Sequence, residues 1–253
     1  MRGKVTVGII AELKEGVLLL TINRPEAGNS LNPAVGHGLV EALRDAATNP
    51  DVRTVIVTGA GEKIFCAGMD LKAFAAGEDM SSVAQGLEMI SSCPKPVIAA
   101  VNGTAVAGGF EVMMRADLVV VADHARFGIP EVKRGLVAAG GGTRLPTRIP
   151  LQIALELGLT GETISAARAL ELGLINRVVA SADVIPTALE LAALISANGP
   201  LAVQATKKLM LEEVGPNNSA HVGKIVASVF ASEDAREGAM AFAEKRPPQW
   251  KGR

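Results

Sequence analysis

Residues 98–117, IAAVNGTAVAGGFEVMMRAD, have the pattern of an apolar strand followed by a glycine pair and an apolar helix. Glu111 lies inside the helical part, between Phe110 and Val112. A carboxylate is rarely buried without a partner. The sequence therefore leaves two interpretations, a glutamate on the wet edge of the helix or a glutamate that the protein places inside a site.

Strand, loop and helix alternate on both sides of this stretch. The runs at 54–58 and 96–101 are continuously apolar, as expected of strands that are buried on both faces. An early hairpin is the exception, with strands predicted at 5–13 and 17–22 around Lys14-Glu15-Gly16. The alternation predicts an α/β protein. Further helices are predicted at 33–47, 81–92, 151–157, 165–172, 183–197, 200–213, 217–231 and 233–244, and further strands at 118–121 and 175–179.

The chain changes character towards its C-terminus, where almost every residue fits an amphipathic helix. Asn198-Gly199-Pro200 is the clearest break in this part. We predict a core domain over residues 1–195 and a helical region over 196–253. A region of that length has little core of its own, so it is expected to pack on the same subunit or on a neighbour. No internal repeat of fixed period is found.

Composition narrows the function classes. Of 253 residues, 49% are apolar and 20% are charged, and the formal net charge is −1. Such a chain is globular, and its charge does not favour nucleic acid as a partner. The two cysteines, Cys66 and Cys93, form no CxxC motif, which argues against disulfides or a metal site and fits a reducing cytoplasm. No apolar run reaches the roughly 18 residues of a membrane span. A cytoplasmic protein without membrane attachment is expected.

Two glycine elbows follow apolar strands, Ala67-Gly68-Met69-Asp70 and Ala107-Gly108-Gly109. Amides at a helix start have no partner within the helix, and glycine lets a ligand approach them closely. Two such amides converging on one point would stabilise an oxyanion. The alternative is that these glycines only permit close packing of helix on strand. The GAG of residues 59–61 is different, because it lacks the third glycine of a dinucleotide fingerprint and is read as a turn.

Two glutamates are candidates for proton transfer. Glu111 comes three residues after Gly108, so its side chain falls on the same helix face as that amide, although a glutamate in a first turn also suits the helix dipole. Glu131 follows Pro130, whose fixed φ stiffens the approach. An oxyanion site with two carboxylates suits proton transfer next to a carbonyl. The histidines, His37, His124 and His221, show no comparable arrangement.

The whole chain resembles the crotonase (enoyl-CoA hydratase/isomerase) superfamily. The matching pieces follow the family order and include INRPEAGNSLN, VIVTGAGEKIFCAGMDLKAF, KPVIAAVNGTAVAGGFEVMMRADLVVVAD, ARFGIPEVKRGL and FAEKRPPQWKGR. The resemblance implies a crotonase-type spiral of ββα turns. It also implies a C-terminal helical trimerisation region that closes the active site and builds a homotrimer or a hexamer made of two trimers.

The resemblance also implies a site. The thioester carbonyl would lie between the backbone N–H groups of Met69 and Gly108, and Glu111 and Glu131 would be catalytic. Coenzyme A would contact Arg24, Ala67, Asp70, Leu71 and Lys72, with Arg24 as a candidate phosphate contact. Coenzyme A is part of the substrate, and neither a metal nor another cofactor is expected.

The activity implied is that of an enoyl-CoA hydratase in fatty acid metabolism. The alternatives are a carnitinyl-CoA dehydratase, an enoyl-CoA isomerase, and an acyl-CoA-binding member without turnover. An RNA-binding homologue would need a basic surface, which the net charge does not supply. The chain departs from the family pattern at Ala107, where glycine is common, at the bulky Met69, and in GLVAAGGG (135–142), which lacks the usual proline. Alanine at 107 is expected to matter little, because Gly108 keeps the amide that is required. At position 69 only the amide is required, and the bulky methionine side chain is expected to narrow the acyl pocket.

Overall fold

The computed structural model describes residues 2–6, 8–138, 142–213, 228, 231–234, 237, 241, 244 and 246–253. The strands are β1 (Arg2–Thr6), β2 (Ile9–Lys14), β3 (Val17–Ile22), β4 (Thr54–Gly59), β5 (Ile64–Cys66), β6 (Val97–Val101), β7 (Thr104–Val106), β8 (Leu118–Ala122), β9 (Arg126–Gly128), β10 (Ile164–Ser165) and β11 (Arg177–Val179). The α-helices are α1 (Pro33–Thr48), α2 (Leu71–Ala75), α3 (Ser81–Ser92), α4 (Gly108–Arg115), α5 (Leu151–Thr160), α6 (Ala166–Glu171), α7 (Val184–Ser196) and α8 (Pro200–Glu213). Short 3-10 helices cover Pro25–Ala27, Pro130–Arg134, Gly142–Thr147 and Ser181–Asp183. The helices predicted at 217–231 and 233–244 fall mostly outside the described residues.

The strands form two sheets. The larger has the order β1-β2-β3-β4-β6-β8-β11, and the smaller has the order β10-β9-β7-β5. From β3 onward every neighbour in the larger sheet is parallel, whereas β1, β2 and β3 form an antiparallel meander. Parallel strands need a crossover connection, which the helices between them supply.

The middle of the chain repeats one unit. β4, β6 and β8 each lie in the larger sheet and are followed by a short strand of the smaller sheet, β5, β7 and β9 respectively. Helices complete the turns after β5 and β7. This succession confirms the predicted spiral of ββα turns. The units begin at Thr54, Val97 and Leu118, so their spacing is unequal and leaves no fixed period in the sequence.

The apolar runs are buried as predicted, since every residue of β4 and of β6 is buried. Helix α7 packs against β4, β6 and β8. Helix α1 begins as predicted, with the Asn32 side chain accepting a hydrogen bond from the Val35 N–H at 3.0 Å. Helix α4 packs against both β7 and β5 of the smaller sheet.

Two expectations about strands need correction. The strand predicted at 5–13 is two strands, because Gly8 adopts φ +90° and turns the chain between β1 and β2. The three-residue strands of the smaller sheet were not predicted, since they are too short to show a period of two. The hairpin at Lys14-Glu15-Gly16 is confirmed, with Glu15 and Gly16 both at positive φ.

Within the described residues no single helix is long and apolar enough to cross a bilayer. Segments 181–196 and 200–212 are long and apolar enough for a membrane span only when they are taken together, and the chain bends by 107° between them.

Candidate active site

The start of helix α4 is built from three small residues with different tasks. Ala107 has φ 50° and ψ −127°, a conformation that favours glycine, and it turns the chain from β7 into the helix. Gly109 packs on β5, where a Cβ would lie 2.0 Å from the Cys66 carbonyl oxygen. Gly108 begins the helix, and its amide has no acceptor inside the helix. Close packing therefore explains why residue 109 is a glycine, but it does not explain the glycine at position 108.

The second elbow lies directly against the first. A Cβ on Gly68 would come within 2.9 Å of the Gly108 nitrogen, and a Cβ on Gly108 would come within 3.4 Å of the Met69 nitrogen. Within the described part of the chain, neither the Met69 N–H nor the Gly108 N–H donates a hydrogen bond. Both residues are half-buried, so a ligand can reach them. Two adjacent amides with free donors are suited to bind one carbonyl or oxyanion oxygen.

Glu111 occupies the next turn of α4 and is buried, with 5% of its surface exposed. Its Oε1 accepts a hydrogen bond from the Gly142 N–H at 2.9 Å. That amide belongs to the 3-10 helix Gly142–Thr147, so a distant segment orients the carboxylate. The interpretation of Glu111 as a glutamate on a wet edge is therefore wrong.

Glu131 lies in the 3-10 helix Pro130–Arg134 and is half-buried. Its Oε2 is buried and accepts no hydrogen bond from any described residue. Burial raises the pKa of Glu131, and the negative charge of Glu111 raises it further, although contact with its own backbone amide opposes this in part. The two carboxyl groups are thus close enough to influence each other.

The arrangement can bind a carbonyl oxygen and move protons beside it. Two carboxyl groups that repel each other share one proton more readily than they carry two charges. Gly142 orients the Glu111 carboxyl group, and burial, partly opposed by contact with its own backbone amide, raises the pKa of Glu131. One group can then accept a proton while the other donates one. This combination suits addition to, or elimination from, a carbon chain whose carbonyl is held by the two amides.

The residues predicted to contact coenzyme A lie around the second elbow. Ala67, Leu71 and Lys72 are exposed to solvent. Arg24 and Asp70 are paired with each other, with Nη2 of Arg24 2.9 Å from Oδ2 of Asp70. Burial alone would raise the pKa of Asp70, but hydrogen bonds from Arg24 and from the Ala73 and Lys72 amides outweigh it and lower that pKa. Their contact with coenzyme A stays a prediction.

The described histidines and the buried cysteine Cys66 do not contribute to this arrangement, whereas Gly142 does. His37 and His124 are exposed, and His221 lies outside the described residues. Burial raises the pKa of the Cys66 thiol to about 12, so this cysteine is neutral and unsuited to act as a nucleophile. Sequence analysis did not identify Gly142 as the residue that orients Glu111, because their contact spans 31 residues of chain. In the described ranges no group of three or more His, Cys, Asp and Glu side chains is placed to hold a metal ion.

Several known proteins resemble this chain over almost its whole length. The family model described as enoyl-CoA hydratase/isomerase matches residues 12–253. A carnitinyl-CoA dehydratase of Proteus mirabilis is 42% identical over 250 residues, which cover 94% of this chain and 95% of that protein. The crystal structure of an enoyl-CoA hydratase from Mycobacterium tuberculosis superposes with a TM-score of 0.92 at 49% identity, covering 97% of this chain and 99% of that one. The structure of a carnitinyl-CoA hydratase from Mycobacterium avium gives a TM-score of 0.78 at 43% identity, with coverage of 97% and 99%.

Proposed function

We propose that this chain, which belongs to the enoyl-CoA hydratase/isomerase family and is a hydro-lyase, adds water reversibly to a 2-enoyl-CoA thioester. The product is the 3-hydroxyacyl-CoA. The observation that carries the proposal is the pair Glu111 and Glu131 beside the two unbonded amides of Met69 and Gly108. A member that only binds acyl-CoA has no need of either carboxyl group.

The reaction follows from the charges of the site. The Met69 and Gly108 amides polarise the thioester carbonyl, which makes Cβ electrophilic and stabilises the enolate, each donor contributing roughly 3–4 kcal/mol. The oxygen of a water attacks Cβ while Glu111 takes one of its protons. The electron pair of the Cα–Cβ double bond moves into the enolate. As the carbonyl re-forms, Glu131 delivers its proton to Cα. The reverse sequence dehydrates a 3-hydroxyacyl-CoA.

The pH dependence of kcat/KM follows from the proton that the two glutamates share. Water addition releases no net proton, so the kcat/KM values for hydration and dehydration must change with pH in parallel. The pair is inactive when both groups are protonated, because no base remains, and when both are ionised, because no acid remains. Since burial and the Glu111 charge raise the pKa of Glu131, the alkaline limb should lie above the ordinary glutamate pKa. Initial rates in both directions across the pH range test this.

In Glu131→Gln, the residual activity should lose the alkaline limb, because the amide does not ionise. An alkaline limb that survives in this variant would contradict the assignment of the acid to Glu131.

A carnitinyl-CoA dehydratase is the second candidate, and the 42% identity with such an enzyme favours it. Its substrate carries a quaternary ammonium group, which proteins commonly hold between aromatic side chains. The chain has no tyrosine, one tryptophan and six phenylalanines, of which Phe65, Phe110 and Phe127 are buried in the core. That tryptophan, Trp250, donates its indole N–H to the Ala197 carbonyl at 2.8 Å and packs beside Gly199. The aromatic supply therefore favours an uncharged acyl group.

Competition between two substrates separates these candidates. We expect loss of the conjugated-enoyl absorbance with a short, unbranched 2-enoyl-CoA, and a lower kcat/KM with the same enoyl-CoA bearing a terminal trimethylammonium group. A higher kcat/KM with the cationic substrate would assign the second candidate. Turnover of neither substrate, with thioester binding retained, would reject hydration of these acyl groups.

We also propose that the chain assembles as a homotrimer or as two trimers in the cytoplasm. Leu151, Leu155 and Leu159 of α5 recur at every fourth residue and form one exposed apolar stripe. A stripe of this kind is better covered than left in water. Static light scattering decides the point, and the mass of a single chain would contradict it.

A further inference from the structure

Two distant segments are joined at the oxyanion site. The Leu31 N–H donates to the Gly68 carbonyl at 2.8 Å, and the Asp70 N–H donates to the Leu31 carbonyl at 2.9 Å. Leu31 and Met69 thereby form an isolated parallel bridge outside both sheets. The bridge uses the groups on either side of Met69 and leaves the Met69 N–H itself unused.

This bridge sets the direction of the Met69 N–H. In a planar trans peptide the carbonyl and the following N–H point in opposite directions. Because the Gly68 carbonyl points at Leu31, the Met69 N–H must point away from Leu31's backbone N–H. The Gly108 elbow lies close to that amide, since a Cβ on Gly108 would be 3.4 Å from the Met69 nitrogen. The oxyanion geometry therefore depends on how firmly residues 30–31 are held against residues 68–70.

A side-chain clamp holds the same two segments. Arg24 donates from Nη1 to the Ser30 carbonyl at 2.7 Å and to Ser30 Oγ at 3.1 Å, and from Nη2 to Asp70 Oδ2 at 2.9 Å. Asp70 Oδ1 accepts from the Lys72 and Ala73 amides, which fixes the start of α2. The guanidinium thus bonds one segment with each of its terminal nitrogens.

The Arg24–Asp70 clamp is better shielded from water than an ordinary surface ion pair. The side chains of Arg24 and Asp70 are only 20% and 14% exposed. The planar fork of arginine fits two acceptors at once, which a lysine ammonium cannot reproduce. Arg168 and Glu171 provide the contrast, with the same 2.9 Å separation but side chains 48% and 64% exposed. Screening by water makes such exposed pairs contribute little.

We infer that Arg24 is a positioning residue for the oxyanion site: by clamping Ser30 to Asp70 it holds the Met69 N–H against the Gly108 amide. The inference rests on the proposed function, because it assigns these amides to the thioester carbonyl. It gives Arg24 a role that does not depend on the phosphates of coenzyme A. It also connects two residues of the predicted coenzyme A site directly with the reaction step.

The test uses two thioesters of the same enoyl group, one on coenzyme A and one on pantetheine, which carries no phosphate. Arg24→Gln should lower kcat roughly 10- to 100-fold on both, because a small misplacement of a stabilising group costs that much. Arg24→Lys should restore part of the loss. Arg168→Gln serves as the matched control and should leave kcat unchanged.

The alternatives give different results. If Arg24 only contacts a phosphate, its replacement raises KM for the coenzyme A thioester and leaves the pantetheine thioester unaffected, which would overturn the inference. If the clamp only stabilises the fold, Tm falls while kcat at a lower temperature is unchanged, which would overturn it as well. Asp70→Asn combined with Arg24→Gln should cost little more than either change alone, since both break the same clamp.

Failure of the proposed function remains distinguishable from failure of this inference. A conjugated thioester whose carbonyl is polarised by the two amides should absorb at longer wavelength when bound, whether or not it is hydrated. If the wild type hydrates nothing but shifts the absorption, a smaller shift in Arg24→Gln still supports the clamp. An unchanged shift in that variant would contradict it.

Discussion

Replacing Glu131 with glutamine is expected to slow hydration of a short 2-enoyl-CoA by roughly 10²–10⁴-fold, the usual contribution of a general acid or base. Glutamine keeps the size of the side chain but cannot deliver the proton to Cα. Glu111→Gln should cause a loss in the same range, because its amide cannot take the proton of the water. Steady-state kinetics on the two variants, with thioester binding measured separately, test both roles.

Glu156→Gln is the matched control, since Glu156 is exposed on α5. It should retain wild-type kcat. If Glu111→Gln retains hydration, the two-carboxylate mechanism is wrong. If Glu111→Gln abolishes hydration but leaves double-bond migration in a 3-enoyl-CoA intact, the chain also performs isomerase chemistry through Glu131.

Alanine substitutions at the adjacent glycines 108 and 109 are expected to have different effects, one on activity and the other on stability. A Cβ at Gly109 would meet the Cys66 carbonyl oxygen at 2.0 Å and the Cys66 carbonyl carbon at 2.7 Å. Neither atom can move without displacing β5, so Gly109→Ala should destabilise the protein by about 3 kcal/mol or more. Thermal or denaturant unfolding measures this loss.

Gly108→Ala should behave in the opposite way. Its Cβ would lie 3.2 Å from Leu31 Cδ1, 3.3 Å from Gly68 Cα and 3.4 Å from the Met69 nitrogen, so these neighbours need to shift by only a few tenths of an ångström. The variant should fold, yet the methyl group crowds the position of the carbonyl oxygen. We expect kcat to fall towards the roughly 10²–10³-fold loss seen when an oxyanion donor is removed. A folded, fully active Gly108→Ala would contradict the oxyanion assignment.

Much of this site could be predicted from the sequence because its chemistry lies in short local patterns. Spacing and residue type are enough to predict the start of α1 at Asn32-Pro33, the apolar strand β6 and the glutamate inside α4. The resemblance to a family then directs attention to Glu131, which local patterns alone do not distinguish from a solvated glutamate. The match of the family model over residues 12–253 confirms that resemblance.

The features of the site that could not be predicted from the sequence depend mostly on contacts between residues that are distant in the chain. Nothing near Arg24 in sequence indicates that it pairs with Asp70, 46 residues away. The same holds for Gly142 and Glu111. Ala107 is a different case, because local rules predict a glycine at its positive φ, and only the surrounding structure stabilises alanine there. The short strands β5, β7 and β9 form because longer elements bring them together, not because their own residues show a period.

In the proposed reaction, water adds across the Cα–Cβ double bond under the control of two glutamates. The most direct measurement is the mass of the intact thioester after brief reaction in water labelled with heavy oxygen, and separately in deuterium oxide. We expect one labelled oxygen at Cβ and one deuteron at Cα from the wild type, and neither within the same time from Glu111→Gln. Deuterium at a shifted double bond without any labelled oxygen would contradict hydration and assign the chain to isomerase chemistry.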